Sequence, residues 1–312
     1  MRVLKLAALT AAAFVLQAGV AAADTFKLAV TDVEGLERLQ LEWGAFKETL
    51  DKATGHSFEF FPVTSRTAAA EALRAEQVDF VVSGPAEYVV INKLTEATPL
   101  IGLGRPDYYC AIVVRADSNV VKPADLKGEK VAFGDIGSTS NMLCPMQLMT
   151  DYGVDPMSET ERLHTSRAIA HESLKKGDVA AMGTNYTSWQ RMRDKDDSVP
   201  PGYFRVIARS GDLPNDMLMV ASHIDIGIAE QVKTAILDNK EDIIASILTH
   251  EENEKYRGMD LVAIEDGAYA GRLRATIAGN LFDVLRNPEL SLVTFEGEHT
   301  PGFLFPCRLD PK

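Results

Sequence analysis

Hydrophobic and polar positions alternate with two periods along this chain. Thr25-Phe-Lys-Leu-Ala-Val-Thr31 has the period of two expected of a strand, and the loop Asp32-Val-Glu-Gly35 follows it. From Leu36 to Thr54 the apolar residues Leu39, Trp43, Phe46 and Leu50 recur at helical spacing, and Gly55 supplies a stop. Phe58–Phe61 reads as the next strand, Thr67–Arg74 as an alanine-rich helix and Val78–Val82 as a third strand. This pace predicts βαβ units and a parallel sheet covered by helices. Cys110–Arg115 is a strand of the buried type, and Pro123–Gly128 is a short helix and turn. A second α/β unit runs from Lys130 to about Ala208, with a helix over Ser166–Lys176 and strands at Val179–Met182 and Arg205–Ala208. The strand Met217–Ala221 follows, then helices over Ala229–Leu248 and Asp266–Leu285.

The chain thus leaves one α/β unit and returns to it, which predicts two lobes joined by a hinge. Residues 24–112 plus 213–287 form the first lobe, 113–212 the second, and 288–312 an irregular tail. The first 23 residues read differently. Arg2 and Lys5 precede an apolar stretch from Leu6 to Leu16, and Ala21-Ala22-Ala23 fits a small-residue cleavage site. The expectation is a cleaved export leader, with Asp24 first in the mature protein and the bacterial periplasm as its destination. No other run is apolar and long enough to span a bilayer.

Charge narrows the partners. The chain has 45 acidic and 32 basic residues, a formal net charge of −13. Such a surface argues against nucleic acid and anionic membranes. It does not forbid an anion site, because local amides and one arginine overrule a global field at short range. The candidate for such a site is Phe133-Gly-Asp-Ile-Gly-Ser-Thr-Ser-Asn141, a strand end, a glycine turn and a helix N-terminus. Helix-start amides lack internal partners, and the hydroxyls of Ser138, Thr139 and Ser140, with Asn141 beside them, add donors. Three cysteines, Cys110, Cys144 and Cys307, leave one thiol over in an oxidising compartment. They show no metal spacing, and no cofactor motif is present. His164 and His171 read as surface residues. There is no G-x-S-x-G, H-E-x-x-H or P-loop signature, so an exported hydrolase using the Ser-Thr-Ser cluster is the lesser alternative to a non-enzymatic receptor.

Three segments carry a resemblance. Pro123-Ala-Asp-Leu-Lys-Gly-Glu-Lys-Val-Ala-Phe-Gly-Asp-Ile-Gly-Ser-Thr-Ser-Asn141 resembles the DLKGK-hydrophobic-GSTSG stretch of periplasmic phosphate/phosphite/phosphonate-binding proteins. Val78-Asp-Phe-Val-Val-Ser-Gly-Pro-Ala-Glu-Tyr88 is similar to their GPxxY segment, and Gly177-Asp-Val-Ala-Ala-Met182 to a later strand. The resemblance implies a type II periplasmic-binding-protein fold that closes as a monomer on a small oxyanion, with an ABC permease or a membrane histidine kinase as its partner. It implies anion contacts from Ser138, Thr139 and Ser140, and a pocket role for Tyr88. Where the family has a histidine, Arg167 stands ten residues before Gly177, and a guanidinium can fork onto two oxygens. Where the family has a small polar residue after Arg105-Pro106, this chain has Tyr108-Tyr109-Cys110, and Tyr109 and Cys110 are candidates for the pocket. A free Cys110 thiol would suit arsenite, as in arsenite-sensing relatives, with Cys144 and Cys307 forming a disulfide. Asn185 and Tyr186, and Trp43 with Glu42, are further candidates. Two ligand readings stay open: arsenite through Cys110, or phosphite, phosphonate or phosphate delivered to an importer.

Overall fold

The structure is a computed structural model describing residues 24–264, apart from 34 and 65–67. The expected leader, the helix expected over Asp266–Leu285, the tail and Cys307 lie outside the described residues. In chain order the elements begin with β1 (Thr25–Val30), α1 (Leu36–Thr54), β2 (Ser57–Phe60), α2 (Ala68–Arg74), β3 (Phe80–Ser83), α3 (Pro85–Thr95) and β4 (Thr98–Gly104). Next come β5 (Cys110–Arg115), β6 (Lys130–Phe133), α4 (Cys144–Asp151), β7 (Glu161–His164), α5 (Arg167–Lys176), β8 (Ala181–Asn185), α6 (Tyr186–Asp194) and β9 (Phe204–Arg209). The described chain closes with β10 (Asp216–Val220), α7 (Ile226–Asp238), α8 (Lys240–Ile247) and β11 (Asp260–Ala263).

These strands form two sheets, ordered β11-β4-β10-β3-β1-β2 and β7-β6-β8-β5-β9. Both are mixed rather than wholly parallel. β1 pairs in parallel with β2 and β3, while β10 enters antiparallel between β3 and β4. In the second sheet β6 is parallel to β7 and β8, and β5 is antiparallel to β8 and β9. The chain crosses between sheets after β4 and returns after β9. The connections are therefore residues 105–109 and 210–215, and the expected boundary at 112 falls inside β5.

Local sequence explains most elements. In α1 the predicted stripe Leu39, Trp43, Phe46 and Leu50 is buried, and Gly55 closes the helix at φ 74° with its amide on Asp51 O. Leu28, Ala29 and Val30 are all fully buried because helices cover both faces of β1. One apolar cluster lies under α1, α7 and α8, and another under α5 and α6. A third runs from Val81 and Met217 in the first sheet to Ile112 and Phe133 in the second. The single helix expected over Ala229–Leu248 is two, α7 and α8, broken at Asn239. β4 escaped the hydrophobic pattern because Pro99, Gly102 and Gly104 punctuate its apolar run.

The two connections are bonded to each other. Leu213 N donates to Tyr108 O at 2.7 Å, and Arg105 N donates to Asn215 Oδ1 at 2.7 Å. Arg105 and Asp216, one from each connection's border, form a buried ion pair at 3.1 Å.

Candidate ligand-binding cleft

A cavity of about 1000 Å³ opens between the sheets. Its floor is made by residues just past the carboxyl ends of parallel strands: Asp32 after β1, Gly84 after β3, Gly134 after β6 and Thr165 after β7. Four helix starts converge there. α3 begins at Pro85, a turn of π-helix covers Thr139–Leu143 ahead of α4, α5 begins at Arg167 and α6 at Tyr186. Their positive ends favour an anion.

The glycine turn is built by its own hydrogen bonds. Gly134 N donates to Asn141 O at 2.9 Å, and the amides of Met142 and Leu143 both donate to Ser138 O. Thr139, Ser140 and Asn141 start this π-helical turn, where an amide has no partner within the helix. Asn141 Nδ2 donates to Ser138 Oγ at 3.1 Å, and Asn141 Oδ1 accepts from Asn185 N at 2.8 Å. Asn141 thereby ties the turn to the end of β8. Thr139 Oγ1 accepts from Ala86 N at 3.1 Å, a bond that crosses the cleft. Tyr108 hydrogen-bonds Ser140 from the connection, and burial pushes its phenol up to about 12, so it remains a neutral hydroxyl. A Cβ on Gly134 would sit 2.5 Å from Asn141 Cβ. Gly134→Ala should displace Asn141 and weaken anion binding by about 10-fold, a steric cost of roughly 1–3 kcal/mol shared between fold and site. Calorimetric titration beside a thermal melt separates the two.

The cationic wall faces this turn. Arg167 and Arg191 line the cleft from α5 and α6, and Arg105 lines it from the first connection. Burial, then Arg105 and Arg191, lower the pKa of Arg167, while Glu252 and Asp135 act against that. An arginine keeps its proton in proteins regardless. Arg167 Nε is buried with no hydrogen-bond partner, and so is Asn185 Nδ2. Asn185 Oδ1 is used in capping α6, where it accepts from Ser188 N at 2.8 Å. Arg191 Nη1 donates across the cleft to Glu254 O at 2.8 Å.

Several expected residues lie elsewhere. Tyr88 is 2 % exposed and points into the core, because the phase of α3 gives the cleft to Glu87 instead. Tyr109 stacks on Tyr186, centroids 5.2 Å apart, under the Arg209 guanidinium and outside the cleft. Trp43 is core, and Glu42 reaches the cleft but is clamped by Arg38 at 2.6 Å. His171 is buried rather than superficial, and His164 is half-buried with Nδ1 3.1 Å from Gly134 O.

The cysteines also need correction. Cys110 is joined to Cys144, not left free, and neither lines the cleft. Cys110 shares one face of β5 with Ile112 and Val114, and that face packs on α4, where Cys144 is the first residue. The expected Cys144–Cys307 pair is therefore replaced. Non-reducing peptide mapping should link Cys110 to Cys144 and leave a single thiol, in the Cys307 peptide. Reduction should lower stability by roughly 2 kcal/mol, read from the denaturant midpoint.

Sequence reading missed Arg105, Tyr108, Glu87 and Arg191. The signal for the first three was position, since each follows closely on a strand's carboxyl end in the first lobe or its exit. Arg191 carried no local signal.

The family described as "ABC transporter, phosphonate, periplasmic substrate-binding protein" matches residues 28–261. The phosphate-import protein PhnD of Mycolicibacterium smegmatis is 26% identical over 230 residues, covering 68% of this chain and 70% of that protein. PhnD1 of Prochlorococcus marinus, solved in complex with methylphosphonate, superposes with a TM-score of 0.65 at 16% identity, covering 81% of this chain and 98% of that one. A Xanthomonas citri protein solved with bound ATP gives a TM-score of 0.69 at 16% identity, covering 83% and 98%.

Proposed function

We propose a ligand for this chain, which belongs to the phosphonate family of periplasmic substrate-binding proteins of ABC transporters: a phosphorus oxyanion, seated between the amides of Thr139–Asn141 and the Arg167 guanidinium. The observation that carries this reading is a set of donors lacking acceptors. Arg167 Nε and Asn185 Nδ2 are buried and unpartnered in the same cleft as the helix-start amides of Thr139, Ser140 and Asn141. Leaving such donors unmade costs about 1–3 kcal/mol each, which an oxyanion recovers on binding. Phosphonate, phosphite and phosphate all present several oxygens to such a set. The bound form would then deliver its ligand to the membrane subunits of an importer, with residues 1–23 acting as the export leader. N-terminal sequencing of the protein from the periplasm should begin at Asp24.

Supporting this over arsenite sensing is the disulfide. A thiol-based arsenic site requires a free Cys110, and Cys110 is bonded to Cys144 away from the cleft. The matched relative in Mycolicibacterium smegmatis is a phosphate-import protein, which favours a permease over a histidine kinase as partner. Calorimetric titration with methylphosphonate, phosphite, phosphate and arsenite tests the choice. Binding of at least one phosphorus oxyanion is expected, with arsenite silent. Silence from all three phosphorus ligands would overturn the reading.

A further inference from the structure

Behind the wall formed by α5 and α6 lies a buried polar network outside the cleft. His171 is 3 % exposed. The indole Nε1 of Trp189 can only donate, and it lies 3.2 Å from His171 Nδ1. Nδ1 is therefore the acceptor, and the ring proton sits on Nε2, which donates to Asp196 Oδ2 at 3.0 Å. Lys175 holds the same carboxylate oxygen at 2.7 Å and Glu172 at 2.8 Å, so these acids are already engaged in an ion-pair network.

The two helices share a layout. On α5, Arg167 and Ala170 face the cleft, and His171 sits one turn below Arg167. On α6, Ser188, Arg191 and Met192 face the cleft, while Trp189 turns to the interior. Each helix thus shows an arginine to the ligand and one end of the His171–Trp189 bond to the core. Arg167 and Arg191 are close enough for their charges to act on each other. The spacing of the two side chains is set by how α5 and α6 pack on each other.

We propose that the His171–Trp189 hydrogen bond is a positioning contact that holds Arg167 and Arg191 at the spacing an oxyanion requires. This rests on the phosphorus-oxyanion reading of the cleft. The bond touches no ligand. It acts by locking the cleft-facing stripes of α5 and α6, and the Asp196 contact to Nε2 fixes the tautomer that makes it.

The test is calorimetric titration with methylphosphonate, phosphite and phosphate, each variant's folding being checked by its thermal transition. Trp189→Phe keeps the ring volume but removes the donor, and His171→Gln keeps a group near Asp196 but removes the acceptor at Nδ1. Each should weaken binding by about 10-fold, the weight of one neutral hydrogen bond. His171→Asn places an amide oxygen where Nδ1 was, and should stay within about 3-fold of the parent. In an Arg191→Gln background Trp189→Phe should cost clearly less than 10-fold, since Arg167 alone is then left to be misplaced. A full 10-fold loss in that background, parental affinity in Trp189→Phe and His171→Gln, or a His171→Asn no better than His171→Gln would overturn the proposal. A parent protein that binds none of the three ligands would instead sink the oxyanion reading, and the positioning role with it.

Discussion

Arg167→Ala should weaken methylphosphonate binding by about 100-fold or more, yet leave the unliganded protein as stable as the parent or more so. The two effects have one origin. Arg167 is half-buried, its Nε is buried with no hydrogen-bond partner, and Arg105 and Arg191 repel its charge. In the free protein it is a charge held at a desolvation cost. An oxyanion turns that cost into charge-assisted hydrogen bonds worth about 1.5–3 kcal/mol each, and two of them amount to roughly 3 kcal/mol or more. Removing the side chain removes both the cost and the bonds. Titration calorimetry and a thermal melt without ligand read the two halves. Equal destabilisation of the free protein would mark Arg167 as structural.

Asp216→Ala should cost about 3–5 kcal/mol of folding stability, the penalty for stripping one partner from a buried ion pair. Asp216 accepts from Arg105 at 3.1 Å and from the Tyr256 hydroxyl at 2.7 Å, and all three are buried. Burial works against the Arg105 charge, but Asp216, with Tyr108 and Tyr256, raises its pKa overall. The guanidinium also lies 3.8 Å from the Tyr108 ring centroid. Without Asp216 this charge keeps only the weaker compensation of Asp32 across the cleft. The denaturant midpoint should fall, and the thermal shift produced by phosphate should grow, because the anion then offsets Arg105 as well. A phosphate-induced shift no larger than the parent's would place Arg105 outside the anion's reach.

Much of this architecture was legible in the residues, in proportion to how local its causes are. The stripe of α1, the Gly55 stop and the glycine turn before Ser138 depend on near neighbours, and each is where its spacing put it. Arg167 was found because it stands where the resembling family has another residue, and it does line the cleft. Tyr88 was misplaced by helix phase: one residue earlier, Glu87 takes the cleft side. Cys110 was misplaced by strand parity, since alternate residues of β5 face opposite layers and its own layer holds α4. His171 read as a surface residue because its buried partner, Trp189, lies on another helix and leaves no local signal. The mixed pairing of β10 between β3 and β4 is a property of the return crossing, which no local pattern records.

The claim on which the rest depends is that the amides of Thr139–Asn141 and the Arg167 guanidinium grip one anion. A crystal structure of the protein with methylphosphonate tests it directly. The phosphonyl oxygens should lie within hydrogen-bond distance of those amides, of Arg167 and of Asn185 Nδ2. A phosphonyl group bound elsewhere in the cleft, with Arg167 Nε still lacking an acceptor, would contradict it.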